Sequence, residues 1–153
     1  MKPRIDLSRY AHDAYKAMLG LEKYLASSSI EKPLRELVKL RASQINGCAY
    51  CIDMHSKDAR EAGETEQRLY CLQAWRECPF YTERERAALE WTEAVTLLTV
   101  GHVPDEVFER VSRQFQGKDL ADLNFAVVAI NAWNRIAVPF RSVPGNYRPP
   151  RHA

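Results

Sequence analysis

Two thiols and one imidazole lie within eight residues of each other, about a third of the way along the chain. Two residues separate Cys48 from Cys51, and His55 follows Cys51 by four positions, about one helical turn. If Cys48 opens a helix, all three side chains project from one face of it. Cysteines three positions apart in a helix lie within disulfide-forming distance, so this pair can cycle between dithiol and disulfide. The spacing therefore predicts thiol redox chemistry next to a base.

The first turn of a helix is a favourable place for a reactive thiol. Its unpaired N–H groups and the helix dipole stabilise negative charge. They therefore lower the pKa of a thiol below its free value of about 8.5 and increase the fraction of thiolate, which is the nucleophilic form. On this basis the Cys48–Cys51 pair is expected to be more reactive than an isolated buried cysteine.

Three other interpretations compete with redox chemistry. Two cysteines at this spacing can simply be small hydrophobic residues of the core, and for a lone CxxC that interpretation stays open. A zinc site usually takes four ligands, whereas Cys71 and Cys78 are seven positions apart on a different predicted helix, so no metal is expected. A thioredoxin-like site needs the motif after a strand, and no strand is predicted here.

Length and composition describe one globular domain. The chain has 153 residues, of which 46% are hydrophobic and 27% charged, enough for a core without disulfides. Its net charge is only +2, so bulk electrostatics give no reason to expect a nucleic acid or an anionic membrane as partner. The charged N-terminus does not resemble a signal peptide, and no apolar stretch reaches the ~20 residues of a membrane span. We expect a cytoplasmic protein with mostly reduced thiols.

The elements that position these residues are predicted to be helices throughout. Apolar residues recur at spacings of three and four, and no segment alternates as a strand would. Seven helices are predicted, at about 7–27, 33–46, 48–62, 65–78, 82–100, 103–116 and 120–140. The fold class is therefore all-α, a bundle of about seven helices over residues 1–141. A tail over 142–153, rich in Pro and Arg, is expected to lack regular structure and to be disordered or to pack on a neighbouring subunit.

The spacing around the cysteines also resembles the signature of a known family. Glu36, eleven residues, Cys48-x-x-Cys51, three residues and His55 form a four-point pattern that is far more specific than CxxC alone. This pattern is similar to that of the alkylhydroperoxidase D (AhpD) family, within the wider carboxymuconolactone decarboxylase-like superfamily. The segments LVKLRASQINGCAYCIDMHSKDAREAGETEQRL and AINAWNRIAVPFR resemble the same group, so the likeness covers most of the chain.

The resemblance implies a fold, an assembly and a reaction. An all-helical domain would form a homo-oligomer, a trimer or a hexamer, with the cofactor-free antioxidant chemistry of a peroxiredoxin-type peroxidase. Cys51 would be the peroxidatic thiol, Cys48 the resolving thiol, and His55 with Glu36 the proton relay. The substrate would be a hydroperoxide, and a dithiol reductant of unknown identity would restore the thiols.

One position departs from the family pattern. Tyr50 stands where the best-studied AhpD branch has a second histidine. A phenol with a pKa near 10 is not a base at neutral pH, although its hydroxyl still forms hydrogen bonds. Two alternative functions stay open: an acid–base reaction such as lactone decarboxylation through His55, and a non-enzymatic redox-sensing oligomer.

Other polar residues have simpler interpretations. Glu36 could instead be a surface charge of its helix that pairs with Lys39 or Lys32, and Ser43 is expected to pack between helices. Asn131 and Asn134 are candidates for the wall of a pocket over the thiols, because buried amides need partners. The residues expected to carry no chemistry are Cys71, Cys78, His12, His102, His152, Trp75, Trp91 and Trp133.

Overall fold

A computed structural model describes residues 2–150, and this part of the chain contains helices, turns and loops but no strand. The all-α prediction is thus confirmed. The α-helices are α1 (Leu7–Tyr10), α2 (His12–Ala26), α3 (Lys32–Asn46), α4 (Ala49–Glu61), α5 (Glu66–Cys71), α6 (Glu83–Thr96), α7 (Asp105–Ser112) and α8 (Lys118–Phe140), with a 3₁₀ helix over Leu72–Glu77. None of these helices is long and apolar enough to cross a membrane.

The helix count within residues 2–150 differs from the prediction, because eight α-helices and one 3₁₀ helix replace seven. The first predicted helix is divided at Ala11, whose backbone at φ −131° and ψ 50° is not helical. The fourth changes from α to 3₁₀ after Cys71, and Ala74 inside it also leaves helical geometry at φ −112°. A capping box of Thr82 and Glu85, with Thr followed three positions later by Glu as the sequence motif requires, starts α6.

Helix α3 is the centre of the bundle and packs against α4, α6 and α8. Most of its length is buried, including the charged residues Arg35, Glu36 and Lys39. Burying charges is costly unless they are paired and hydrogen-bonded. Arg35 donates to the backbone carbonyl groups of Leu25 and Ile30 at 2.6 and 3.2 Å, and the other two residues have partners in the site described below.

A glycine joins α3 to α4 and sets the start of the second helix. Gly47 ends α3 in the left-handed conformation at φ 65°, where a residue without Cβ is favoured. The next residue, Cys48, is the N-cap of α4, and its backbone N–H donates to the carbonyl of Ser43 at 3.0 Å. The turn therefore fixes the first turn of α4 against the end of α3.

Asn131 and Asn134 of α8 fasten this helix to α3 and do not line the cavity beside the thiols. Asn46 donates to the side-chain oxygens of Asn131 and Asn134 at 3.0 and 2.8 Å. Asn134 in turn donates to Ser43 at 3.2 Å, which gives this serine the helix-packing role expected of it. The amides thus find their partners in the neighbouring helix, so the predicted pocket-wall role is wrong.

The residues expected to be structural occupy varied positions. Trp75 and Trp91 are buried, whereas Trp133 is half-buried and faces the thiol site. His12 is the exposed first residue of α2, and His102 lies in an exposed turn. His152 lies outside the described residues.

Candidate active site

The two predicted thiols lie at the start of α4. Cys48 caps the helix, and its sulfur accepts the backbone N–H of Cys51 at 3.3 Å. The two residues form a disulfide across a Cα–Cα distance of 5.3 Å. No acidic residue occupies the first turn of α4, so a thiolate released there faces the positive end of the helix dipole without a nearby like charge on that turn.

The two sulfurs border different cavities, although each cysteine is only 1% exposed. Cys51 lines a cavity of about 320 Å³, here called the thiol cavity, together with His55 and Glu36. Cys48 lines a separate cavity of about 300 Å³ whose wall includes Arg141 and Pro144. One member of the pair therefore shares a cavity with the imidazole, and the other lies at a different opening.

The imidazole of His55 is held by a buried carboxylate. Its Nδ1 lies 2.8 Å from Oε2 of Glu36, and both residues are less than 10% exposed. Burial raises the pKa of Glu36, but the hydrogen bond and charge of His55, with the charges of Lys39 and Arg35, outweigh it and hold that pKa below its ordinary value. With Nδ1 engaged, Nε2 is the ring nitrogen that remains for proton transfer.

The Glu36–His55 contact depends on tertiary packing, since the two residues lie on different helices. Glu36 comes from α3 and His55 from α4, and these two helices pack closely along their length. The alternative interpretation, a pair between Glu36 and Lys39, is not what the structure has. Lys39 instead forms an ion pair with Glu22 of α2 at 2.5 Å.

A second carboxylate, which the sequence did not single out, lies beside this pair. Asp58 is three positions after His55 on α4 and also lines the thiol cavity. Glu36, His55 and Asp58 each offer one atom that could bind a metal ion, and these three atoms lie within 4.8 Å of one another. Among the described residues this trio is the group that could hold a metal ion, although hydrogen bonds already engage each member. The helical spacing from His55 is the sequence signal that could have pointed to Asp58.

The C-terminal segment supplies a partner for Asp58. The hydroxyl of Tyr147 donates to Oδ1 of Asp58 at 2.7 Å. Burial and the charge of Glu36 raise the pKa of Asp58, whereas the Tyr147 hydrogen bond acts in the opposite direction. The Tyr147 hydroxyl has its pKa raised by burial and by Asp58, so it remains a proton donor. No local sequence pattern could have paired these two residues, which are 89 positions apart.

Further contacts fix the tail along α4. The backbone N–H of Gly145 donates to Asp53 at 2.9 Å, and the ammonium of Lys57 donates to the carbonyl of Tyr147 at 3.3 Å. Asp53 and Lys57 are themselves paired at 2.8 Å. Residues 142–150 lack helix, as expected, but they are ordered against the helix that carries the thiols.

Aromatic side chains form much of the remaining wall of the thiol cavity. Tyr15 from α2 and Trp133 from α8 meet edge to face with ring centroids 5.3 Å apart. The indole N–H of Trp133 donates to Glu22 at 2.9 Å. Tyr50 also lines the cavity, and burial raises the pKa of its phenol, so it is uncharged at neutral pH. These aromatic groups offer apolar contact next to the sulfur of Cys51.

The remaining cysteines lie away from this site. Cys71 ends α5 and Cys78 follows the 3₁₀ helix, and both are half-buried thiols. Neither lines the thiol cavity or the cavity beside Cys48. Burial and the neighbouring Cys71 raise the pKa of the Cys78 thiol, which lowers its reactivity at neutral pH.

The fold and the site together define an all-helical protein with a CxxC pair at a helix start and a buried His–Glu pair beside it. Residues 12–94 match the model of the carboxymuconolactone decarboxylase family. The chain belongs to this family, and its fold is AhpD-like.

Individual relatives agree with that assignment. The uncharacterized protein YdfG of Bacillus subtilis is 49% identical over 138 residues, which are 90% of this chain and 94% of YdfG. ATU0492 of Agrobacterium tumefaciens, a protein of unknown function described as a candidate antioxidant defence protein AhpD, superposes with a TM-score of 0.91 at 44% identity, over 95% of this chain and 100% of that one. An AhpD core structure from Ralstonia eutropha JMP134, an uncharacterized peroxidase-related protein, shares the fold with a TM-score of 0.78 at 20% identity, over 91% and 74% of the two chains.

Proposed function

We propose that this protein is an AhpD-like thiol peroxidase that reduces hydroperoxides through Cys51 and Cys48. The observation that carries this proposal is the placement of the Cys51 sulfur in the same cavity as an imidazole whose other nitrogen is held by the Glu36 carboxylate. A nucleophilic thiol and a positioned acid–base group in one cavity are the two elements that hydroperoxide reduction needs.

The reaction begins with the thiolate of Cys51. Its sulfur attacks the terminal oxygen of the hydroperoxide, the O–O bond breaks, and the thiolate becomes a sulfenic acid. His55 gives a proton to the departing alkoxide, which leaves as the alcohol. Glu36 orients the imidazole and stabilises its protonated form before that transfer.

Cys48 completes the oxidation. Its thiol condenses with the sulfenic acid at Cys51, so the S–S bond forms and water leaves. An external dithiol then reduces the disulfide by thiol–disulfide exchange and is itself oxidised. The disulfide between these residues is the oxidised end of this cycle. No cofactor or metal takes part in any of these steps.

Thiol counting with reduced protein tests the proposal. The chain has four cysteines, so one turnover with an alkyl hydroperoxide should lower the free thiols from four to two and release one alcohol. Cys51→Ser should keep its three thiols, and Cys48→Ser should stop at a sulfenic acid that a dimedone-type reagent traps. Cys71→Ser is the matched control and should still lose two thiols. A reduced wild-type protein that keeps all four thiols would refute the peroxidase.

The same variants separate the two alternative functions. An acid–base reaction such as lactone decarboxylation through His55 would proceed in Cys51→Ser, because it needs no thiol. A redox-sensing protein would change its oligomer mass in light scattering between the reduced and oxidised forms, without turnover. A peroxidase instead requires continued alcohol release when a dithiol is supplied.

We also propose that the protein is a homo-oligomer, a trimer or a hexamer. Exposed apolar side chains support this assembly. Phe125 and Val128 are 47% and 42% exposed one turn apart on α8, and Phe108 of α7 is 48% exposed. Exposed apolar groups of this size often mark contacts between subunits. Light scattering of wild type and Phe125→Glu tests this: a monomeric wild-type mass would overturn it.

A further inference from the structure

The thiol cavity carries an excess of negative charge. Three carboxylates line it, from Glu22, Glu36 and Asp58, against the single ammonium of Lys39. Even when the His55 imidazole is protonated, the side chains that line the cavity carry a net negative charge. The Lys39 ammonium is already paired with Glu22 at 2.5 Å, so it is not available to an incoming anion.

Asp58 is the carboxylate whose charge bears most directly on a substrate. Glu22 is neutralised by Lys39, and Glu36 by His55 whenever that imidazole is protonated. Asp58 instead accepts a hydrogen bond from the uncharged hydroxyl of Tyr147. That bond favours the ionised carboxylate but adds no positive charge, so it does not neutralise Asp58 in the way that Lys39 neutralises Glu22.

Several other charged groups act on Asp58, two of them in the cavity lining and one, Lys32, outside it. Lys32, at the start of α3, and the His55 imidazole act on it with positive charge, and Glu36 acts with negative charge. Lys57, the next cation on α4, is engaged by Asp53 and by tail carbonyl groups. No cation contacts Asp58 directly among the ion pairs of residues 2–150.

From these contacts we infer that the thiol cavity selects uncharged hydroperoxides with an aromatic or other apolar group and rejects carboxylate-bearing ones, with Asp58, held by Tyr147, as the specificity-determining residue. This inference rests on the peroxidase function proposed above. The aromatic side chains Tyr15, Tyr50 and Trp133 supply the apolar contact, and Asp58 supplies the repulsion. It also names the substrate class that the sequence did not reveal.

A matched pair of hydroperoxides tests the inference. Cumene hydroperoxide is uncharged, and its ring-carboxylated analogue differs by one carboxylate. Reduced wild-type protein should be oxidised about tenfold or more faster by the uncharged compound, as expected for repulsion between like charges within one partly buried cavity. In Asp58→Asn this preference should fall about tenfold. Glu66→Gln is the matched control, because it removes a carboxylate that accepts a tyrosine hydroxyl on the exposed surface, and it should keep the preference.

A binding measurement separates failure of the selection from failure of the peroxidase. The disulfide form is mixed with the product alcohol of each compound, which is cumyl alcohol or its carboxylated analogue. Binding is followed by tryptophan fluorescence, because Trp133 lines the thiol cavity. The uncharged alcohol should bind about tenfold more tightly than the carboxylated one, and Asp58→Asn should reduce this difference in affinity. Equal oxidation rates and equal binding of the two compounds in wild type would overturn the selection while leaving the peroxidase intact. Selective binding without any thiol oxidation would support the selection and refute the peroxidase alone.

Discussion

Removing the charge of Glu36 without changing its size is the sharpest perturbation of the site. In Glu36→Gln the amide oxygen still accepts from His55, so the geometry at 2.8 Å can persist while the carboxylate charge is lost. A hydrogen bond to a charged group contributes roughly 1.5–3 kcal/mol. If that energy stabilises the protonated imidazole in the reaction, the rate of thiol oxidation should fall by about 10- to 150-fold.

Stopped-flow mixing of the reduced variant with cumene hydroperoxide measures this rate directly. Tryptophan fluorescence reports the oxidation of Cys51, because Trp133 lines the same cavity. Free thiols counted in samples quenched at set times confirm the extent of oxidation. Glu90→Gln serves as the control, because it removes a carboxylate paired with Arg110 at 2.8 Å on the surface and should leave the rate unchanged. If Glu36→Gln reacts within twofold of wild type while its circular dichroism is native, Glu36 takes no part in the proton relay.

Three further outcomes follow from the structure. The pKa of Glu36 lies below its ordinary value, so the stability that this group contributes is complete above its unfolded pKa of about 4.3 and is lost as pH falls through the lower folded value. Urea titrations from pH 3 to 6 should therefore show a shallower acid loss of stability in Glu36→Gln than in wild type. Gly47→Ala forces a Cβ into the left-handed region at φ 65° with no other clash, so it should cost about 1 kcal/mol and lower the melting temperature in calorimetry by roughly 2–4 °C. Tyr147→Phe removes the hydroxyl that favours ionised Asp58, so the pKa of Asp58 should rise, and rejection of carboxylate-bearing hydroperoxides should be lost at a higher pH than in wild type; coincident pH profiles for the two proteins would contradict that assignment.

Most helices of this fold could be predicted because their signals are local. The capping box at Thr82 and Glu85 and the left-handed Gly47 act within a few residues, and the structure has both. The break at Ala11 has no such signal, since alanine is the strongest helix former, yet its backbone at φ −131° and ψ 50° is not helical. The short α1 was therefore merged with α2 in the prediction.

In the candidate site, too, the features set by neighbouring residues could be predicted, whereas the contacts between distant residues could not. Helical spacing alone places Cys51 and His55 on one face of α4, and both line the thiol cavity. The contact between Glu36 and His55 crosses two helices, and it was expected only through the family resemblance. Tyr147 reaches Asp58 from a tail whose composition predicted no regular structure, and either disorder or packing on a neighbouring subunit. A contact across 89 positions leaves no periodicity that a sequence pattern could reveal.

The surroundings of the two sulfurs support unequal roles for them in the proposed cycle. Cys51 shares a cavity with His55, so an oxygen leaving from a hydroperoxide at this sulfur has a proton donor beside it. Cys48 lies at the N-cap and its sulfur accepts a backbone N–H at 3.3 Å, an environment that stabilises a thiolate, but His55 does not line the cavity beside this sulfur. Attack on a hydroperoxide needs both a thiolate and a proton for the alkoxide, whereas condensation with a neighbouring sulfenic acid needs only a nucleophilic sulfur within reach. Because the imidazole lies in the cavity of Cys51 and not in that of Cys48, the peroxidatic role fits Cys51 and the resolving role fits Cys48.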